Sequence, residues 1–155
     1  MYPYLGDFAA GSSIFVPFAT YNSSGASATL TGLAVTDIEV YKGASMTQRA
    51  SDAGFALVDT DGIDLDTITG IHGFTIDTSD NTDAGFYAAG NDYTVVVSAV
   101  TVDAQTVNLI ACRFSIENRV SNVTKIAGSA VSTTTAQLGV NVVQISTDAT
   151  AAANL

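Results

Sequence analysis

The sequence predicts an all-β protein built as a β-sandwich, and two observations carry that prediction. Ser, Thr, Gly, Asn, Ala and Val dominate, whereas the straight-chain residues that helices prefer are sparse. Short stretches of alternating apolar and polar residues recur about every ten residues, with turn-forming residues between them. Seven or eight such stretches are typical of a sandwich of antiparallel sheets.

The first clear strand is predicted over residues 14–21. Ile14, Val16 and Phe18 share one face there, because side chains alternate along a strand. Pro17 lacks the amide hydrogen that a central strand must donate, so this strand is expected at the edge of a sheet.

Further strands are predicted around Leu30 and over residues 35–41, 55–58 and 72–76. Ile38 and Val40 alternate with polar residues, and Phe74 and Ile76 likewise face one side. The strand over 35–41 is therefore expected to be half-buried, with one apolar face and one solvent-exposed face.

The two strongest strands are predicted over 93–102 and 106–116. Asp103-Ala104-Gln105 joins them with a spacing that suits a hairpin. The globular part is expected to end near Arg119, which gives a β-sandwich domain over residues 1–119 and an extended segment over 120–155.

The segment 120–155 differs from the rest of the chain, because its 36 residues contain no aromatic side chain and one basic residue, Lys125. Residues 122–130 align weakly with 141–149, at an offset of 19. So short a repeat needs neighbouring copies to bury its apolar edge. We expect pairing with copies of itself around a three-fold axis, or docking along another protein, through Val123, Ile126, Leu138, Val142 and Ile145.

Length and charge exclude several classes of protein. The 155 residues, 47% of them hydrophobic, suit one ordinary domain. The net charge of −10 repels nucleic acid and anionic membranes. No apolar run is long enough to span a bilayer, and the first residues lack the features of a secretory signal. Cys112, the single cysteine, allows no internal disulfide, which suits folding in a reducing cytosol.

The loop at 59–66 holds the metal-ligand candidates. Its four carboxylates in eight residues suit calcium, which takes several oxygen ligands from a turning loop. The spacing departs from that of an EF-hand, so a solvated acidic turn is the preferred interpretation, and no metal or cofactor is expected. The candidates are Asp59, Asp61, Asp64 and Asp66. The same two interpretations apply to a second acidic loop, which holds Asp77, Asp80, Asn81 and Asp83.

Neither His72 nor Cys112 predicts catalysis. The chain offers no second histidine for a transition-metal site, so His72 is expected to be a surface or half-buried strand residue. At period two, Cys112 shares a face with Ile110, Phe114 and Ile116, which makes it an inert core residue. No catalytic residues are predicted.

The N-terminal aromatic residues Tyr2, Tyr4 and Phe8 have two open interpretations. They form either an arm that anchors on a neighbour or a first strand that closes the sandwich edge. A sugar-binding platform is a further possibility for the tyrosines in the sandwich, although such residues more often cap the core and bond the backbone. These are Tyr21, Tyr87 and Tyr93.

Several segments between residues 4 and 119 resemble a group of tailed-bacteriophage proteins. The matching segments are Tyr4-Leu5-Gly6-Asp7-Phe8, Val40-Tyr41-Lys42, Ile76-Asp77-Thr78-Ser79, residues 84–96 and Phe114-Ser115-Ile116-Glu117-Asn118-Arg119. The resemblance implies an immunoglobulin-like module of the kind found in baseplate and fibre proteins, and it carries no catalytic signature. Residues 126–140 are similar to repeats of phage tail-fibre-like proteins.

The expected function is that of a non-enzymatic structural protein of a tailed-phage virion, associated with the tail or fibre. A capsid decoration protein of the head is the alternative. A carbohydrate-binding adhesion module that recognises a host-surface glycan is a further one. The protein is expected to be made in the cytoplasm of the bacterial host and to bind other virion proteins and copies of itself, with a homotrimer as one arrangement of those copies.

Overall fold

The computed structural model describes residues 2–58 and 64–119, together with the backbone of 125–126 and 129–130. The backbone divides into two units, Met1–Val120 and Ser121–Leu155. Within the described residues, the first unit holds the strands β1 (Tyr4–Phe8), β2 (Ser13–Ala19), β3 (Leu30–Thr31), β4 (Ile38–Lys42), β5 (Phe55–Leu57), β6 (Ile71–Asp77), β7 (Asn91–Val102) and β8 (Gln105–Ile116). In the second unit, β9 (Lys125–Ile126) pairs antiparallel with β10 (Ser129–Ala130).

A three-stranded antiparallel sheet has the order β2-β6-β5. Pro17 lies in β2, which is an edge strand, and pairs with Gly73 of β6. The predicted edge position is confirmed. Ile14, Val16 and Phe18 are buried on the inner face of β2, as their spacing predicts.

A five-stranded sheet is built on the long hairpin of β7 and β8. β1 lies beyond β8, whereas β3 and β4 both pair with the other side of β7. β1 runs parallel to β8, so the sandwich is not purely antiparallel as predicted. The parallel pairing is possible because the other strands lie between β1 and β8 in sequence and form the long connection that it requires.

The inner faces of the two sheets form one hydrophobic core. Its largest fully buried side chains include Phe74 and Ile14 from the three-stranded sheet and Tyr93, Phe114 and Ile38 from the five-stranded sheet. The all-β, sandwich-like prediction is confirmed. Among the described residues, short 3₁₀ turns at Val35–Asp37 and Leu65–Thr67 interrupt the strands, and no helix is long and apolar enough to cross a membrane.

A β-bulge in β8 changes which side chains face the core. Val95 pairs with Cys112 and Val96 with Ile110, so Ala111 is an extra residue. Cys112 is fully buried, as predicted, but Ile110 is 40% exposed. The prediction that Ile110 shares the inner face with Cys112 is therefore wrong, because the bulge shifts the alternation by one residue.

Candidate functional site

The described part of the first acidic loop is tied to the fold. Asp64 accepts hydrogen bonds from the Gly70 amide and from the Thr29 hydroxyl, both at 2.7 Å. Asp66 is exposed, and Asp59 and Asp61 lie outside the described residues. The described residues contain no cluster of three or more side chains suited to a metal. A structural role is thus visible for Asp64, and the preference for a solvated acidic turn over a calcium site stays a prediction.

The second acidic loop is organised around Arg49, which is 3% exposed. Its guanidinium pairs with Asp80 and lies 3.5 Å from Asp83. The guanidinium also lies over the rings of Phe55 and Tyr87, at 5.5 and 5.0 Å from their centroids. One buried cation therefore fastens this loop to the sandwich.

Backbone amides and a hydroxyl group also donate hydrogen bonds to the carboxylates of this loop. Ser79 donates from its amide and its hydroxyl to Asp77, which lowers the pKa of that carboxyl. Asp83 accepts the Ser51 amide at 2.8 Å. These contacts fit the interpretation of this loop as an acidic turn bonded to nearby backbone.

His72 is 1% exposed, so the prediction of a surface or half-buried histidine is wrong. It occupies the inner face of β6 together with Phe74 and packs against Phe18, with ring centroids 5.1 Å apart. Burial lowers the pKa of His72, and the nearby Asp64 carboxylate opposes this only in part. The imidazole is therefore held neutral.

The hydrogen bonds of His72 identify its tautomer. The Thr20 hydroxyl donates to the Ala28 carbonyl oxygen at 2.5 Å, so it has no second hydrogen to give. Nε2 of His72 lies 2.7 Å from that hydroxyl oxygen and must therefore carry the proton. Nδ1 is left without a hydrogen-bond partner, 3.7 Å from Asp64.

This hydroxyl, imidazole and carboxylate follow the order of a nucleophile relay, but their geometry does not allow that chemistry. Thr20 is 3% exposed, and its hydroxyl hydrogen points at a backbone carbonyl rather than at the imidazole. A general base must accept the hydrogen of its nucleophile. The network instead fixes the turn at Gly70, where a Cβ would lie 2.8 Å from the Thr20 carbonyl oxygen.

The tyrosines proposed as a sugar platform lie in different environments. Tyr93 is fully buried, donates to the Phe86 carbonyl at 3.0 Å and accepts the Ala88 amide at 2.8 Å. The hydroxyl of Tyr87 is buried, and burial raises the pKa of that group. Tyr21 is 59% exposed and is the member of this set that offers its ring to solvent.

Of the two interpretations given to the N-terminal aromatic residues, the structure shows the first strand at the sheet edge, and anchoring on a neighbour stays a prediction. β1 closes the edge of the sheet against β8, and Phe8 packs edge-on to Phe114 at 6.4 Å between ring centroids. Tyr2 and Tyr4 remain 48% and 50% exposed. The first strand is thus part of the sandwich, while its leading aromatic rings reach the surface.

An uncharged groove of about 560 Å³ begins at Tyr2. It lies between the end of β2 and the middle of β8, so the edges of both sheets border it. Its lining residues are Tyr2, Pro3, Pro17, Phe18, Ala19, Tyr21, Leu109, Ile110 and Ala111. We call this feature the edge groove.

A smaller depression of about 220 Å³ shares Tyr2 with the edge groove. Asp92 lies in it, accepting hydrogen bonds from Ser115 and Asn118, which lower the pKa of its carboxyl. Arg119 pairs with Asp92 at 3.3 Å and lies over the ring of Tyr4. These contacts place the end of the sandwich beside the N-terminal tyrosines.

Sequence reasoning identified some of the residues that line the edge groove and the smaller depression beside it. It singled out Tyr2 and Tyr4, but Ile110 was assigned to the core. Arg49 was also missed, although it immediately precedes a stretch of 63 residues, 50–112, that contains acidic residues and no Lys or Arg. The other predicted interface residues, Val123, Leu138, Val142 and Ile145, lie outside the described residues, as does the side chain of Ile126.

Cys112 lies in the core, and burial raises the pKa of its thiol to about 12. A thiol with so high a pKa stays protonated at neutral pH and is a poor nucleophile.

Comparison with family models, with curated proteins and with solved structures found no match for this chain.

Proposed function

We propose that this protein is a non-enzymatic structural component of a tailed-phage virion, associated with the tail or its fibres. The resemblance of residues 4–119 to tailed-phage proteins gives the setting. The observation that carries the structural role is the edge groove, where uncharged aromatic and aliphatic side chains reach the surface of an otherwise acidic protein. Exposed aromatic anchors of this kind concentrate binding energy at interfaces between proteins.

An immunoglobulin-like arrangement of the sandwich is part of the proposal. Support comes from the two sheets, β2-β6-β5 and β1-β8-β7 with β3 and β4 both paired to β7, which have long central strands and share a core. Tyr93 lies near the start of β7 and bonds backbone a few residues upstream, as the tyrosine corner of such domains does.

Quantitative mass spectrometry of purified particles tests the proposal and its location. A tail or fibre component is expected at a low copy number that tracks other tail proteins. Copy numbers that track the capsid subunit would favour the alternative role of a head decoration protein. Particles that lack this protein altogether, prepared from cells that make it, would refute both virion roles.

A genetic test asks whether the virion needs this protein for its structure. Electron microscopy of particles made without the gene is expected to show missing density at the tail. Intact particles with no missing density would argue against a structural role there.

A further inference from the structure

The edge groove is bordered by backbone that has no strand partner among the described residues. β1 pairs with β8 from Arg113 onward, and the Arg113 amide donates to Pro3 at 2.9 Å. On that same side, no described strand pairs with β8 between Gln105 and Cys112. Unpaired backbone of an edge strand is a template for one more strand.

This part of β8 lacks the usual protection of an edge strand. Residues 105–111 contain no proline and no charged side chain, and Ile110 presents its side chain outward. Natural edge strands are commonly blunted by lysine, proline or inward-pointing charge. An edge strand without such protection is open to pairing with one more strand.

The occupant of the groove should be uncharged and extended. A second acidic sandwich fits poorly, because residues 1–119 carry 14 acidic and 4 basic side chains. Residues 120–155 carry one charge of each sign, on Lys125 and Asp148, and are formally neutral. Electrostatic repulsion therefore opposes docking of the segment far less than docking of a second sandwich.

One part of the segment matches an added strand best. Residues 125–126 already pair with residues 129–130 through β9 and β10. Residues 138–145, Leu-Gly-Val-Asn-Val-Val-Gln-Ile, hold five aliphatic side chains and no charge.

We propose that residues 138–145 of a second copy add as a β-strand to the exposed edge of β8 and fill the edge groove. Main-chain hydrogen bonds supply affinity in such strand addition, and alternate side chains supply specificity. Each copy donates one strand and accepts another, so the contact links copies head to tail. The inference deepens the proposed structural role and rests on it.

Two variants of the full-length protein distinguish the segment that donates the strand from the edge groove that accepts it. Ile110→Lys places a charge in the groove and leaves the donor segment intact, whereas Val142→Asp does the reverse. In sedimentation equilibrium, the wild type is expected to form oligomers and each variant alone to have the mass of one chain. Mixing the two variants is expected to give a one-to-one heterodimer, because one functional acceptor and one functional donor remain.

Controls separate loss of docking from loss of folding. Ile68→Lys changes another exposed isoleucine, 58% exposed and outside the groove, and is expected to oligomerise like the wild type. Tyr21→Lys offers a second acceptor variant if Ile110→Lys unfolds. Circular dichroism and thermal melting verify the fold of each protein.

Three outcomes would overturn the inference. They are a monomeric wild type at all concentrations, oligomers that persist in both acceptor variants, and a mixture that forms no heterodimer. The measurement uses purified protein, so its failure is distinct from the absence of this protein from virions, which would refute the proposed function instead.

Discussion

At the scale of single residues, His72 links stability to pH. Its pKa is lowered by burial, so below its ordinary value of about 6.5 the unfolded chain takes up a proton that the folded protein excludes. Stability is therefore expected to fall as pH drops from about 7 to 5, by at most about 1.4 kcal/mol per pH unit. Urea unfolding across this range measures the slope.

His72→Gln is the matched variant for this prediction. Its amide can still donate to Thr20, but it does not titrate. The variant is expected to show a flatter dependence of unfolding free energy on pH between 7 and 5. An unchanged slope in the variant would show that another group is responsible. The lowered pKa values of Asp77 and Asp92 act at lower pH, where they make stability fall as these carboxylates become protonated.

Among the residues in ion pairs, Arg49 is the one whose replacement is expected to lower the free energy of unfolding most. Arg49→Met removes a buried cation from between Asp80 and Asp83 and a donor from the Ala53 carbonyl. We expect the free energy of unfolding to fall by about 1 to 3 kcal/mol, because the buried guanidinium loses its hydrogen bonds to a carboxylate and to a backbone carbonyl. Chemical denaturation measures this loss.

Arg113→Met is the matched control for Arg49→Met. The Arg113 side chain is 45% exposed and lies 3.9 Å from Asp92, so its removal is expected to cost less than about 1 kcal/mol. Equal losses in the two variants would contradict the structural role assigned to Arg49.

At the scale of elements, the β7–β8 hairpin carries a turn whose sequence is not optimal. Asp103 and Ala104 both have positive φ, at 49° and 58°, as a two-residue turn of type I′ requires. Alanine pays a steric cost in this region that glycine does not. Ala104→Gly is therefore expected to stabilise the protein by about 0.5 to 1 kcal/mol.

An alanine-to-glycine substitution inside a strand is expected to change stability in the opposite direction. Ala56→Gly, at an exposed position of β5, is expected to destabilise by about 0.5 to 1 kcal/mol. Thermal or urea unfolding of both variants tests the pair. Destabilisation by Ala104→Gly would contradict the turn geometry.

The strands also show which features of the fold can be predicted from the sequence. Strand positions such as Ile14, Val16 and Phe18 were predictable, because a regular strand exposes its pattern at period two. The exposure of Ile110 was not predictable, because the extra residue Ala111 reverses the alternation of buried and exposed side chains, and no glycine or proline marks this bulge. The burial of His72 depends on Thr20, 52 residues away in sequence.

The edge groove could be predicted only in part for a related reason. Tyr2 and Pro17 were recognisable as an aromatic arm residue and an edge residue. That they meet Ile110 follows from the parallel placement of β1 and from the approach of β2 to β8, neither of which leaves a local signal. Sites assembled from distant edges depend on tertiary packing.

At the scale of the whole molecule, the segment after Arg119 is expected to serve assembly rather than stability of the sandwich. Ordering costs roughly 1 to 2 kcal/mol per backbone residue, which scattered Val, Ile and Ala cannot offset alone. Deletion of residues 121–155 should leave a folded monomer whose melting temperature does not change with protein concentration. Thermal melting and light scattering test this, and a truncated protein that fails to fold would contradict it.

The central claim is that this protein works by docking through the edge groove within a virion. The most direct measurement compares its copy number in purified phage particles carrying the wild type, Ile110→Lys or Ile68→Lys, by quantitative mass spectrometry. Incorporation of the wild type and Ile68→Lys is expected to be equal, and that of Ile110→Lys is expected to be largely lost. Incorporation of Ile110→Lys at the wild-type level, or particles without the wild-type protein, would contradict the claim.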